Sequence, residues 1–268
     1  MDRSDFEAAR TALVAARRGA RALAECPAAW RPDDLGEAYR LQAAVAGDLG
    51  ASGGWKVAAI TAAQQRSMGV PQPVCAPLPA ATMHDASERP ARLRLADFIA
   101  PKIECEFAFQ LRLDLPARPD AAYSRAEVTD AIQAMRLAIE IVDPRWPQGS
   151  GTLAELADGF NNGGFVAGPA VREWHGLDFA HVAIVLSRAA PGGQAASELA
   201  RGSGHAILEG DPFGAVVMLA NAQPAGARGL RAGDIVTTGS CTGAPRIPGP
   251  GLYRAEFSGI GSVELVFE

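Results

Sequence analysis

Lys102-Ile103-Glu104-Cys105-Glu106-Phe107-Ala108-Phe109 alternates apolar with other side chains. That alternation commits the segment to a β-strand, because every second side chain of a strand shares a face. Ile103, Cys105, Phe107 and Phe109 then point one way, and Glu104 and Glu106 point the other. Two carboxylates so placed lie roughly 7 Å apart and can converge on one cation. Taken alone, the segment reads more readily as a half-exposed strand with a solvated polar face.

A second segment, Leu137-Ala138-Ile139-Glu140-Ile141-Val142-Asp143, has a glutamate inside a run that otherwise reads as a buried strand. A buried carboxylate is costly unless it finds a partner or a metal. An edge strand with Glu140 outward is the other reading. If Glu104, Glu106 and Glu140 converge, they form a hard, all-oxygen site open to water and substrate. Such a site suits Mg²⁺ or Mn²⁺. Zinc is disfavoured, since His84, His175, His181 and His205 are scattered and no cysteine pair has ligand spacing. A third segment, Leu156 to Gly164, sets Asp158, Asn161 and Asn162 among glycines. It can position a polar ligand, or serve as an ordinary turn.

The remaining chain predicts an α+β fold. Helices are expected over Asp5–Ala24 and Asp34–Leu49, over Arg125–Ala138 from the spacing of Val128, Ile132, Met135 and Leu137, and over Asp211–Ala222. Val70 to Pro79, with four prolines, reads as extended and irregular. Residues 151–168 read as a helical start followed by a Gly/Asn loop. Short strands fill the C-terminal part. Residues 1–80 form a helical/αβ region and residues 81–268 a strand-rich body, two stretches that can also be one continuous unit. With 268 residues, 48% hydrophobic and 21% charged, the chain has ample material for a core and is not disordered. A net charge of −5 leaves no basic footprint for nucleic acid. No apolar run is long enough to span a membrane. The cytoplasm is the expected location.

Of 25 basic residues only Lys56 and Lys102 are lysines. Lys56 sits in Gly54-Trp55-Lys56-Val57. Together these segments resemble the 2-oxopent-4-enoate hydratase group, which includes 4-oxalocrotonate decarboxylases, of the fumarylacetoacetate hydrolase superfamily. Ala38-Tyr39-Arg40-Leu41-Gln42 is similar to that group's Ala-Tyr-x-x-Gln, and Gly54 to Val57 to its Gly-x-Lys-Ile. Glu104-Cys105-Glu106 resembles its Glu-x-Glu, and Glu140 to Arg145 its Glu-Ile-x-Asp-x-Arg. Ala157-Asp158 resembles its Ala-Asp-Asn loop, with Gly159 where Asn is usual. Ala58 and Pro144 are further departures, and residues 147–152 lack the customary Trp-containing stretch.

The resemblance implies a β-roll of the fumarylacetoacetate hydrolase type and a homo-oligomer. It implies metal ligation by Glu104, Glu106 and Glu140, catalysis by Lys56 and Asp158, and substrate contacts from Asn162, Gly239 and Ser240. The implied reaction is hydration of 2-hydroxypenta-2,4-dienoate (2-oxopent-4-enoate) to 4-hydroxy-2-oxopentanoate in aromatic catabolism. The implied alternative is decarboxylation of a 4-oxalocrotonate-type acid. Three other readings compete. The chain can be a catalytically silent relative kept for binding or assembly. It can be a metal-free hydrolase using Ser240 or Cys241, although Gly239 to Gly243 lacks the G-x-S-x-G register. It can be a C–C bond hydrolase, although His84 and Glu88 make no convincing copy of the usual His-Glu lid pair.

Overall fold

The computed structural model describes residues 1–118, 120–192, 195–224 and 227–268. Two helices open the chain. α1 (Arg3–Gly19) begins at Asp2, whose carboxylate accepts the Asp5 amide, and ends at the left-handed Ala20 instead of running on to Ala24. α2 (Leu35–Leu49) is capped by Asp34, which accepts the Glu37 amide. Both caps satisfy amides that a first helical turn leaves without partners. β1 (Ser52–Ala58) and α3 (Ala62–Met68) follow, the latter opened by a reciprocal Thr61–Gln64 capping box.

The proline-rich stretch departs from expectation, since Val74–Pro79 is a strand, β2. It pairs antiparallel with β1 and lies at the edge of its sheet, where missing amide donors are tolerated. β3 (Met83–Asp85) and β4 (Ala91–Leu93) are short. β5 (Lys102–Leu111) is the strand that the alternation predicts.

The helix expected over 125–138 is corrected. α4 (Arg125–Asp130) stops early, and Ile132–Val142 is a strand, β6. Most of β6 is buried on both faces, so apolar spacing could not separate strand from helix there. Pairing decides it: β6 runs antiparallel to β5 from Lys102 opposite Val142 to Leu111 opposite Ile132. After α5 (Thr152–Ala157), the expected Gly/Asn loop is confined to residues 158–161, and β7 (Asn162–Val171) begins directly. β8 (Ala183–Ala189), β9 (Ser197–Ser203), α6 (Pro212–Asn221), β10 (Ile235–Thr237), β11 (Gly251–Phe257) and β12 (Gly261–Phe267) complete the chain.

The fold is α+β, with two mixed sheets. The larger is ordered β2-β1-β10-β5-β6-β7-β3 and the smaller β4-β12-β11-β8-β9. Residues 52–79 thus share one sheet with residues 102–171. Gly54 makes the β1–β10 join possible: a Cβ there would sit 2.0 Å from the Ile235 carbonyl oxygen. The main core contains Ile103, Cys105, Phe107 and Phe109 of β5 with Tyr253, Phe257, Val263 and Leu265 of the smaller sheet. Phe107 meets Phe257 edge-on at 5.2 Å between ring centroids. Such a pair adds about 0.5–1.5 kcal/mol beyond the area it buries. A separate cluster, with Leu13, Leu41, Trp146 and Ala154, joins α1, α2 and α5. Among the described residues no helix is long and apolar enough to cross a membrane.

Candidate active site

With Phe107 and its alternates committed to the core, Glu104 and Glu106 are forced onto the opposite face of β5. The antiparallel register places Glu140 directly opposite Glu104. One carboxylate oxygen from each of Glu104, Glu106 and Glu140 lies within 4.8 Å of the others. Glu106 and Glu140 are almost wholly buried. The solvated-face and edge-strand alternatives therefore do not describe these strands.

The three carboxylates differ in what holds them. Glu106 accepts through Oε2 from the backbone amides of Thr238 (3.0 Å) and Gly239 (2.8 Å). Glu140 accepts through Oε1 from Lys56 Nζ (2.5 Å) and more weakly from Asn162 Nδ2 (3.3 Å). Its Oε2 is buried without any partner, a costly state for a carboxylate oxygen. Burial pushes Glu104 up to about 7, with Glu140 adding to the rise and Lys56 opposing it. Burial raises Glu106 well above the usual carboxylate range, helped by its two acidic neighbours.

Lys56 comes from β1 and is itself buried. Burial pulls its pKa down, but Glu140, Glu104 and Glu106 together overrule that and hold it above the ordinary lysine value. This reverses the lowered value that desolvation alone would give. Lys56 Nζ also donates to the Phe160 carbonyl at 3.2 Å. That carbonyl is presented by a turn in which Gly159, Phe160 and Asn161 all have positive φ.

The turn is fixed from below by charges. Asp158 is fully buried, and both its oxygens are taken by guanidiniums: Arg17 Nε at 2.8 Å and Arg145 Nε at 2.8 Å. The same two arginines donate to the Asn162 carbonyl, at 3.1 and 2.9 Å, and Arg17 also reaches the Asp158 carbonyl. Burial and the charge of Arg145 lower Arg17 to about 10, which leaves it cationic at neutral pH. Asp143 caps this region by accepting the Ile99 and Ala100 amides.

The expected site residues thus fall into groups. Lys56, Glu104, Glu106, Glu140 and Asn162 are brought together. Gly239 is adjacent, but its amide is committed to Glu106. The Ser240 hydroxyl donates to the Gly243 carbonyl at 2.7 Å. Asp158, expected to carry protons or position water, lies behind the turn with no free oxygen. Cys241 is buried and its thiol is pushed up by burial, so it is a poor nucleophile. Sequence reasoning gave no role to Arg17, Arg145, Thr238 or the Phe160 carbonyl. Arg145 at least stood within a quoted motif, whereas an arginine on an amphipathic helix looks solvated.

No protein-family profile matches the chain. Two likenesses in solved structures show the fold. The chain superimposes over its whole length on 4-oxalocrotonate decarboxylase of Pseudomonas putida G7, solved with magnesium and adipate: TM-score 0.84, 21% identity, 99% of that chain covered. It matches a fumarylacetoacetate hydrolase family protein of Yersinia pestis at TM-score 0.54 and 19% identity, over 80% of this chain and 92% of that one. The fold is that of the fumarylacetoacetate hydrolase superfamily. In sequence the chain is 31% identical over 215 residues to a 2-keto-4-pentenoate hydratase of Burkholderia vietnamiensis, covering 80% of this chain and 77% of that protein. The chain belongs to the family of 2-keto-4-pentenoate hydratases, which are lyases.

Proposed function

We propose that this chain is a divalent-metal-dependent hydratase converting 2-hydroxypenta-2,4-dienoate (2-oxopent-4-enoate) to 4-hydroxy-2-oxopentanoate. The observation that carries the reading is the frustrated carboxylate set. Three acids face one lysine, so two negative charges stay uncompensated when all are ionised, and Glu140 Oε2 has no partner. An all-oxygen, anionic, geometrically convergent set fits a hard cation such as Mg²⁺ or Mn²⁺. Held by Glu104, Glu106 and Glu140, the ion would supply a Lewis acid to the carboxylate and 2-keto oxygens of a 2-oxo acid.

The protein's own groups do the rest. The Thr238 and Gly239 amides orient Glu106. Asn162 and Lys56 orient Glu140. Lys56 Nζ is the proton carrier, held in place by Glu140 and the Phe160 carbonyl. Asp158 acts on the turn rather than on substrate. Ser240 remains a candidate for contact with the substrate at the rim. Homo-oligomeric assembly and a cytoplasmic location belong to the same proposal.

Lys102 favours a second reading. It lies on the face of β5 that carries Glu104, two residues earlier, and has no ion pair among the described residues. A free cation there suits the distal carboxylate of a 4-oxalocrotonate-type acid, whose decarboxylation is the alternative activity. An ultraviolet assay with both acids, each with Mg²⁺ and Mn²⁺, tests both readings. Loss of the diene absorbance without CO₂ supports hydration, and CO₂ from oxalocrotonate supports decarboxylation. A catalytically silent relative turns over neither and shows no metal-induced thermal shift.

A further inference from the structure

We propose that Arg17 of α1 is a positioning residue that sets Lys56, acting through Asp158 and the left-handed turn. The inference rests on the reading of Lys56 given above. Four observations carry it. First, Arg17 stands 141 residues from Asp158, yet the two share a buried ion pair at 2.8 Å. Second, Arg17 and Arg145 grip the turn at both ends, at the carboxylate and carbonyl of Asp158 and at the carbonyl of Asn162. Third, the three residues between those ends, Gly159, Phe160 and Asn161, all have positive φ, and Phe160 is the one whose carbonyl accepts from Lys56. Non-glycine residues keep such backbone only where the surroundings over-determine it. Asn162, the far end, also donates to Glu140. One clamp therefore fixes two partners of the Lys56–Glu140 pair.

Fourth, Gly159 is shaped around the clamp. Its φ is +62°, and a Cβ added there would lie 2.7 Å from Arg17 Nη2. The absence of a side chain at 159, where the resemblance predicts Asn, is what lets Arg17 reach the turn. Arg17 and Arg145 also border a cavity of about 230 Å³ lined in part by Asp143 and Thr82. A displaced guanidinium has somewhere to go, so the clamp can be opened without overpacking the fold.

Two lysines in the chain make the test direct. Competitive acylation followed by peptide mapping reads the Lys56:Lys102 labelling ratio, with Lys102 as the internal reference. R17M keeps the aliphatic stem and removes the charge. G159N keeps a residue that tolerates left-handed backbone and pushes Arg17 away. Both raise the ratio about tenfold, the lower end of what losing an outer-shell partner does to a site. R17K restores part of the protection. L13A, which loosens α1 without touching the clamp, leaves the ratio within about twofold at matched stability. An unchanged ratio in R17M and G159N, or an equal rise in L13A, overturns the proposal. In turnover assays R17M lowers kcat and leaves KM within about twofold, as expected for misplacement of a proton carrier. Labelling that responds to Arg17 in a protein inactive on every 2-oxo acid would overturn the functional reading alone. An active enzyme with unresponsive labelling would overturn the positioning role alone.

Discussion

Two buried charge clusters lie on either side of residues 158–162, and they are built oppositely. In the clamp, Asp158 is shared by Arg17 and Arg145, with Asp143 close by. Positive and negative groups are equal in number, and both Asp158 oxygens are hydrogen-bonded. In the carboxylate cluster, Glu104, Glu106 and Glu140 outnumber Lys56, and Glu140 Oε2 has no partner. Burial is similar in both, with Arg17 and Glu104 the less buried members, so burial alone does not distinguish a strut from a site. What distinguishes them is satisfaction. A closed network specifies a conformation, while an open one holds free energy that a ligand can release.

The largest effect should come from removing a member of the open cluster. E140A removes one proposed ligand and strips Lys56 of its ion pair. Turnover is expected to fall by at least about a hundredfold, and the thermal shift produced by Mg²⁺ or Mn²⁺ should vanish; a shift equal to that of the parent protein would refute the site. Breaking the clamp should be felt most in stability. D158N leaves two arginines without their shared anion, a loss of about 3–5 kcal/mol for a broken buried pair. Differential scanning calorimetry should show a melting temperature lower by roughly 10 °C, with the metal-induced shift of the folded protein retained.

K56R separates charge from geometry within the open cluster. The cation persists, but a planar fork replaces a point charge that can give up its proton. Steady-state assays should show kcat reduced by about 10–100-fold, while metal affinity by isothermal titration calorimetry stays close to that of the parent.

The smallest effect concerns pH. Glu104 has a folded pKa of about 7 against an ordinary value of 4.5, and Glu106 is displaced in the same direction. A raised folded pKa contributes stability that is fully present below the unfolded value and lost as pH rises through the folded one. The metal-free protein should therefore lose melting temperature between about pH 4.5 and 7. Metal binding needs the ionised carboxylates, so the Mg²⁺-induced shift should be larger at pH 8 than at pH 5.5. A metal-induced shift independent of pH would place the cation elsewhere.

These contrasts also mark what the sequence disclosed. Glu104 and Glu106 were readable because strand period and core packing agree on β5. Glu140 was readable as a charge inside an apolar run. Their meeting followed only from the family resemblance, because local pattern does not set the register of β6, a strand whose spacing imitates a helix. Asp158 was visible as an acid in a glycine-rich loop, but its partner Arg17 lies 141 residues away on a surface-like helix. No local pattern encodes that pair. Gly239 was seen as a donor, and only the β10 crossing shows that it donates to Glu106. The β2 strand was hidden by its prolines, which its edge place in the sheet excuses.

The pairing of Glu104 with Glu140 across β5 and β6 has a further consequence. Side chains of a strand change face at every residue, so a slip of one position would send Glu140 into the apolar layer and bring Ile139 or Ile141 to the carboxylates. A misregistered chain would carry a buried glutamate on one side and half a metal site on the other. The same three residues proposed to hold a cation thus proofread the assembly of the central sheet.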